Sequence, residues 1–521
     1  MDPLANLMER APTHRHVRVL AADLVGVEAR PVVVEASVHG NTHAPPRVLG
    51  LPDAAVREAF HRVQTASRSV GIGTVRGQTV VNLAPAHTRK VGSGFDLAIA
   101  LALASIAGFV SARELSHSLV VGELGLDGSV RPVTGILPIA ELAARLGVDR
   151  LVCPHECAPL AAMAAPDIPV FAARDLAEAI EQCSATSTAR PVATPTMRSA
   201  PERREPDIAR VRGQESAQRA LLYAAAGGHN ILLSGPPGCG KTLLARCLPG
   251  LLPALDSAAR IEVLRIRTAF ELGEPTATAD ILGHGLRPFR APHHTTSYAG
   301  MIGGGRPVRP GEVTLAHGGV LFLDELPEFG RPALEALRQP LEGGVVHVRR
   351  AGESILLPAS FQLAAAMNPC PCGNLGHPSL ACTDTPRQVD RYRGRISGPL
   401  LDRIDLHVHL LPVPAADLMD QQEDSARSPQ LRELVQGLHA QQMERNGGVL
   451  NRALSAGALR SPAHLQRSAR ALILKYCSDG RLSARAIIRM LRLGRTIADI
   501  AGKERIEEED VGVAMHYRAR F

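Results

Sequence analysis

The octapeptide Gly235-Pro236-Pro237-Gly238-Cys239-Gly240-Lys241-Thr242 constrains this chain more than any other stretch. It follows the apolar run Ile231-Leu232-Leu233 and opens into Leu243-Leu244-Ala245-Arg246. A buried strand, a glycine-rich turn, Lys-Thr and then a helix is the setting in which G-x-x-x-x-G-K-[ST] forms a phosphate-binding loop. Glycines let backbone N–H groups curl around an anion, and the helix N-terminus adds the positive end of its dipole. The pattern predicts an α/β domain in which Gly235 to Gly240 cradle phosphates, Lys241 reaches the β- and γ-phosphates, and Thr242 ligates Mg²⁺. The expected ligand is ATP.

A second nucleotide signal lies well downstream. Val320-Leu321-Phe322-Leu323 reads as an apolar strand ending in Asp324-Glu325, a Walker B pattern. Asp324 is expected to hold Mg²⁺ through its water shell and Glu325 to accept a proton from the attacking water. A third strand, from Phe361 to Met367, ends in Asn368, placed to position that water beside the γ-phosphate. Arg403 sits in the frame Asp402-Arg403-Ile404-Asp405 and carries two readings. One is a surface ion pair with Asp402 or Asp405; the other is a finger that reaches a neighbour's nucleotide and stabilises transition-state charge.

The formal charge is +7, and only four of the 58 basic residues are lysine. Arginine favours forked contacts with phosphates and carboxylates, which makes nucleic acid an expected partner. A genome-wide preference for arginine codons gives the same composition. Aromatic residues make up 3% with no Trp, so a nucleic-acid grip would rest on backbone phosphates rather than on stacked bases. No apolar run approaches the roughly 20 residues of a membrane span. The start of the chain lacks the apolar core of a signal peptide. Nine cysteines without a paired framework fit a reducing compartment, so the expected location is cytoplasmic and away from membranes.

Three blocks follow from composition and periodicity. Residues 1–183 alternate strand-like and helical runs, including Pro31 to Ala36, Gln78 to Leu83, Asp96 to Ala107 and Ile136 to Leu146. Residues 184–206, rich in Ser, Thr, Pro and charge, read as a linker. Residues 207–411 hold the nucleotide motifs, a polar stretch follows, and 430–521 are mainly helical, with one helix starting at Ser483-Ala484.

Taken in order, the phosphate loop, LFLDELPEF, AAMNPCPCG, RISGPLLDRIDLHV and LSARAIIRMLRLGRTIADI resemble the YifB/ComM family of magnesium-chelatase-like AAA+ ATPases over nearly the whole chain. The resemblance implies Lys241 and Thr242 as Walker A, and Asp324 and Glu325 as Walker B. It further implies Asn368 as sensor 1, Arg403 as arginine finger and Arg485 as sensor 2. Val211-Arg212-Gly213-Gln214 is similar to the stretch flanking the adenine, which adds Val211 and Gln214 to the nucleotide contacts. Family members of this kind form rings, usually hexamers, and those of ComM type are similar to branch-migration helicases acting on recombining DNA in transformation. Branched or single-stranded DNA is then the expected partner of a homo-hexamer. An ATP-dependent protein-remodelling or chelatase-type motor subunit is the alternative.

Between the Walker motifs, Arg287 to Thr295 and the glycine-rich 300–305 resemble the helix-2 insertion of the magnesium-chelatase branch. His293-His294 within it reads as structural or as part of a pore loop rather than as a metal pair. Val345 to Arg350, a glycine turn, and Ser354 to Leu357 read as a hairpin, similar to the one before sensor 1 that points into the ring channel. Arg349 and Arg350 beside its tip are candidates for gripping DNA phosphates, with an ordinary exposed basic tip as the other reading. His407 and His409 alternate along a strand and read as one solvated face.

Cys370, Cys372 and Cys382 share a loop after Asn368, where many relatives carry a second C-x-C. Here Asp384 stands in the fourth place, and Asp384 or His377 would complete a tetrahedral zinc site. The other reading is a turn with reduced thiols. Cys153 and Cys157 read as structural. The first block resembles the Lon-protease-like, ribosomal-S5-type α+β domain, with Gly92-Ser93-Gly94-Phe95-Asp96-Leu97 at the nucleophile loop. Lon-type proteolysis needs a serine activated by lysine. Lys90 is the only lysine before the linker, and Leu137 to Glu141 on the matching helix carries none, so the fold is expected without the dyad.

Overall fold

A computed structural model of the chain describes residues 16–39, 46–72, 77–87, 90, 92–184, 188–193, 205–270, 281, 284–305, 308–350, 353–413, 427–461, 464–477 and 484–518. The chain forms two compact units: Met1–Arg198 with Arg260–Leu282, and Ser199–Ala259 with Gly283–Phe521.

The first unit is built on a seven-stranded sheet. Its order is Arg47–Leu49, Gln78–Ala84, Glu28–His39, His16–Val25, Ser118–Val120, Arg150–Pro154, Val170–Ala173. His16–Val25 and Glu28–His39 pair antiparallel, with Val19 opposite Val34 and Ala21 opposite Val32, so β-branched side chains fill the pleated face. The helix Asp96–Ile106 is apolar nearly all round and buried from Asp96 to Ala104, as expected of a helix inside a core rather than on a surface. The helix Ile136–Leu146 starts and stops at Gly135 and Gly147, both left-handed. Residues 260–282, which the sequence boundaries assign to the ATPase block, belong to this unit. There Thr268 O accepts the Gly135 amide at 2.7 Å, and Arg265 pairs with Glu141 at 3.5 Å.

The second unit carries a five-stranded sheet in the order Phe289–Arg290, Val320–Leu323, Gln362–Met367, Ile231–Ser234, Leu406–His409. Every adjacent pair is parallel. The middle strands are buried on both faces, which is why they read as unbroken apolar runs instead of alternating ones. In such sheets ligands sit beyond the carboxyl ends of the strands, and both the phosphate loop and Asp324 emerge from that edge.

Among the described residues five α-helices follow the sheet: Ser428–Arg445, Ala456–Arg460, Arg467–Cys477, Ala484–Ile500 and Glu508–His516. A buried polar knot ties Ser428–Arg445 to Ala484–Ile500 through Asn451. Asp499 accepts Arg445 at 2.5 and 2.8 Å, Arg495 Nε at 3.0 Å and Asn451 Nδ2 at 2.8 Å. A carboxylate this deep is tolerated because its lone pairs are filled. Among the described residues no helix is long and apolar enough to cross a membrane.

His407 and His409 do not share a solvated face. His407 is buried, and burial lowers its pKa to about 4, while His409 is exposed. The chain's far end explains this: Tyr517 O accepts the His407 amide at 2.7 Å and brings the C-terminal residues over the strand.

Candidate active site

The phosphate loop runs from the end of Ile231–Ser234 to the start of the helix Lys241–Leu251. Gly238 and Gly240 lie at φ 77 and 92, in the left-handed region that a residue with a Cβ enters only at a cost. Lys241 Nζ donates to Gly235 O at 2.7 Å, Pro236 O at 2.8 Å and Asn368 Oδ1 at 3.1 Å. Its pKa is lowered, chiefly by burial. Thr242 Oγ1 donates to Asp324 Oδ2 at 2.8 Å, so the two residues assigned to Mg²⁺ face one another across the strand ends. Gln214 Nε2 bridges Leu411 O at 2.6 Å and Cys239 O at 3.3 Å, fastening the segment before the helix Glu215–Gly227 to the phosphate loop. Val211 is buried beside it and accepts Gln218 Nε2 at 2.5 Å.

Glu325 holds φ 51 and ψ 48, a left-handed conformation that costs a non-glycine residue roughly 1–2 kcal/mol. Its amide donates to Asp324 Oδ1 at 3.0 Å, and its carboxylate projects to solvent. His294 Nδ1 lies 3.2 Å from Glu325 Oε2. The His293 ring packs on His294 with centroids 4.0 Å apart, and His293 Nδ1 lies 2.9 Å from Thr295 Oγ1. The pair therefore lies beside the acid assigned as base.

Arg403 and Arg485 lie at the other edge of the sheet. Arg403 precedes Leu406–His409, whose first residue aligns with Ile231, and Asn230 Nδ2 donates to Arg403 O at 3.0 Å. Four-residue strands at about 3.3 Å per residue put about 13 Å between that edge and the phosphate loop. The Arg403 guanidinium is buried, donates to Pro399 O at 2.6 Å and pairs with Glu342. Neither Asp402 nor Asp405 is its partner. Asp405 is taken by Arg489 at 2.7 Å and by the Asn230 amide at 3.0 Å, with His229 3.7 Å away. Asn230, Glu342, Asp405, Arg452, Arg485 and Arg489 line a cavity of about 560 Å³. Arg489 also donates to Arg403 O at 3.0 Å, so it fixes the Arg403 backbone as well as the carboxylate beside it.

Comparison with known proteins agrees with this arrangement. Residues 207–418 match the family described as "Magnesium chelatase, subunit ChlI", residues 34–157 match "Subunit ChlI of Mg-chelatase", and 425–518 match its C-terminal region. The chain is 37% identical to competence protein ComM of Haemophilus influenzae, over 95% of this chain and 96% of that protein. It is 36% identical to the uncharacterized protein YifB of Salmonella typhimurium, over 95% of each. The chain belongs to the YifB/ComM family. It is an AAA+ ATPase of the magnesium-chelatase-like branch, with ATP and Mg²⁺ as the cofactors the family implies. The magnesium-chelatase 38 kDa subunit of Cereibacter sphaeroides is a more distant relative, 24% identical over 56% of this chain.

A thiol cluster follows Asn368. Cys370 Sγ lies 3.3 Å from Cys372 Sγ and 3.6 Å from Cys382 Sγ, and the latter two are also 3.6 Å apart. Zinc–sulfur bonds of about 2.3 Å set tetrahedral edges near 3.8 Å, close to this spacing. Asp384 Oδ2 lies 3.9 Å from Cys382 Sγ, and one ligand atom from each of the four residues falls within 4.8 Å of the others. His377 is occupied elsewhere: its Nδ1 accepts the amides of Ser379 at 3.2 Å and Leu380 at 3.1 Å. The donor set fits zinc, and Asp384 stands where a fourth ligand would.

In the first unit, Ser93 Oγ bonds the Glu123 carboxylate. Lys90 is fully buried and its Nζ donates to Pro85 O. Asp96, three residues beyond Ser93, is clamped by Arg62 at 2.8 and 3.0 Å. Cys153 and Cys157 are buried free thiols whose pKa values are raised by burial.

The strands Val345–Arg350 and Glu353–Pro358 form the expected hairpin, with Val345 opposite Pro358. The Arg349 and Arg350 side chains and the tip at 351–352 lie outside the described residues. Sequence reasoning missed His294 as a neighbour of Glu325, Glu342 as the partner of Arg403, and Arg452 and Arg489 around Asp405. None of these carries a local signal, because each contact joins residues far apart in the chain.

Proposed function

We propose that this chain is an ATP-driven ring motor acting on DNA, with each active site completed by a neighbouring copy. The observation that carries this reading is the separation of Arg403 and Arg485 from Lys241. The arginines sit at the amino edge of the parallel sheet and the phosphate loop at the carboxyl edge. An arginine so placed serves a phosphate only when a second copy presents it. Head-to-tail contacts of that kind close into rings, here a hexamer.

Within one site, Lys241 leaves the Gly235 and Pro236 carbonyls to neutralise β/γ-phosphate charge, and Thr242 and Asp324 hold Mg²⁺. Bound Mg²⁺ supplies charge neutralisation at the phosphates. Glu325 accepts the water proton and Asn368 orients that water. The neighbour's Arg403 stabilises the transition state, and Arg485 follows the γ-phosphate. DNA as the substrate draws on the +7 charge, its arginine character and the hairpin bearing Arg349 and Arg350, together with the kinship to a competence protein. The proposed location is the cytoplasm. We also infer that Cys370, Cys372, Cys382 and Asp384 hold one structural zinc.

Kinship to the magnesium-chelatase 38 kDa subunit favours a second reading, an ATP-driven subunit that remodels a protein partner. ATP turnover measured with forked DNA, Holliday-type DNA, plain duplex and no DNA separates the two. Stimulation by the branched forms is the expected result, and its absence on every DNA gives way to the remodelling reading. Mixing Arg403→Ala subunits with Lys241→Ala subunits should restore part of the activity at mixed interfaces. No recovery in mixed rings shown to form would assign Arg403 to its own subunit.

A further inference from the structure

We propose that the zinc loop braces the phosphate loop, so that nucleotide affinity depends on the ion held by Cys370, Cys372, Cys382 and Asp384. The proposal rests on the zinc reading of that cluster and adds a role for it.

Two contacts join the cluster to the nucleotide site. Gly373 follows the ligand Cys372 at φ +83, and a Cβ added there would lie 2.6 Å from Pro237 Cδ and 2.9 Å from Pro237 Cγ. The backbone of the Cys-Pro-Cys-Gly turn thus rests on a proline ring of the phosphate loop, and only glycine fits. On the other side, Asn368 stands two residues before Cys370 and accepts Lys241 Nζ at 3.1 Å.

The loop is also closed on itself. Thr385, next to Asp384, caps the helix Pro386–Arg393 through a box with Gln388. The last residue of that helix returns, with Arg393 Nε donating to Pro369 O at 3.1 Å. Cys370 Sγ accepts the Leu375 amide at 3.4 Å, and Asp384 Oδ2 accepts the Cys372 amide at 2.8 Å, so backbone N–H groups orient both side chains as they orient metal ligands.

The phosphate loop is hemmed in from both sides. A Cβ on Gly235 would lie 2.7 Å from Leu410 O, while Pro237 bears on Gly373. Four bonds to one ion hold Gly373 against Pro237 and fix the stem that carries Asn368. Without the ion the turn is free to withdraw, and the Gly235 and Pro236 carbonyls that position Lys241 lose one wall. Order that the ion supplies in advance no longer has to be supplied by the nucleotide on binding.

The test uses the full chain, with zinc per chain measured by inductively coupled plasma mass spectrometry and affinity measured with a fluorescent ATP analogue. Far-UV circular dichroism establishes that each variant is folded. The parent should carry one zinc per chain, and cobalt substitution should give the absorption bands of a tetrahedral thiolate site. Asp384→Ala should lose zinc and weaken nucleotide binding by about fivefold or more, the low end of coupling between sites. Asp384→Cys, which supplies a fourth thiolate, should restore both. Gly373→Ala should keep zinc while weakening the nucleotide to a similar degree, because it breaks the contact with Pro237 and not the ion site. A zinc-free Asp384→Ala protein that binds the analogue as the parent does overturns the brace and leaves the metal reading standing. A parent that contains no zinc and gives no cobalt spectrum removes the metal reading and the brace with it.

Discussion

Thr242 and Asp324, 82 residues apart in the chain, share a hydrogen bond of 2.8 Å. The bond joins the first turn of the helix after the phosphate loop to the end of the neighbouring-but-one strand. It sets two oxygen atoms where a hard cation is held between protein and phosphate. Lys241 and Glu325 flank it, one suited to binding and the other to chemistry.

Lys241→Ala should therefore abolish nucleotide binding, while Glu325→Gln should bind ATP as tightly as the parent and turn it over about 10²–10⁴-fold more slowly. Equilibrium binding of a fluorescent analogue and steady-state phosphate release give the two numbers separately. Normal turnover by Glu325→Gln would remove it from the role of base.

His294 holds the Glu325 carboxylate at 3.2 Å in a half-exposed contact. Replacing His294 with Ala should free the carboxylate to reach the water and raise basal turnover about two- to fivefold, as a contact worth up to about 1 kcal/mol allows. A fall in turnover would instead make His294 the group that orients Glu325.

The buried His407 links stability to pH. Its folded pKa, lowered to about 4 by burial, lies below the unfolded value of about 6.5, so the unfolded chain takes up the proton first. The contribution is complete above about pH 6.5 and is lost as pH falls toward 4, to the extent of about 3 kcal/mol. Urea midpoints measured from pH 7 to 4 should fall less steeply in His407→Gln than in the parent. Parallel curves would show that another group governs the acid limb.

If DNA is held through phosphates, the logarithm of its affinity should fall linearly with the logarithm of salt and vary little with base sequence. Arg349→Ala with Arg350→Ala should reduce the salt slope by about 2 and lower DNA-stimulated turnover. Basal turnover should change little, since the hairpin does not belong to the nucleotide site. A double variant that translocates forked DNA as well as the parent would exclude the hairpin as the grip.

The sequence by itself determined the phosphate loop, the Walker B acids, the family and the α/β class. In each case the chemistry is written in consecutive residues: a strand, a turn that needs glycine, a helix start, an acid at a strand end. Even the hairpin at 345–358 follows from two runs and a glycine turn. What only the tertiary structure decided are pairings between distant segments. The Arg403 frame offered Asp402 and Asp405 as partners, yet Glu342 takes the guanidinium, because Asp405 is already buried against Arg489 and Asn230. His407 alternates with His409 as surface residues do, yet it is buried and its amide donates to Tyr517 O. Asp384 rather than His377 faces the thiols, because His377 caps its own turn. Local pattern fixes which backbone conformations are affordable. Which charge meets which is set by the order of strands in the sheet, and that order brings together residues whose spacing in the chain carries no signal.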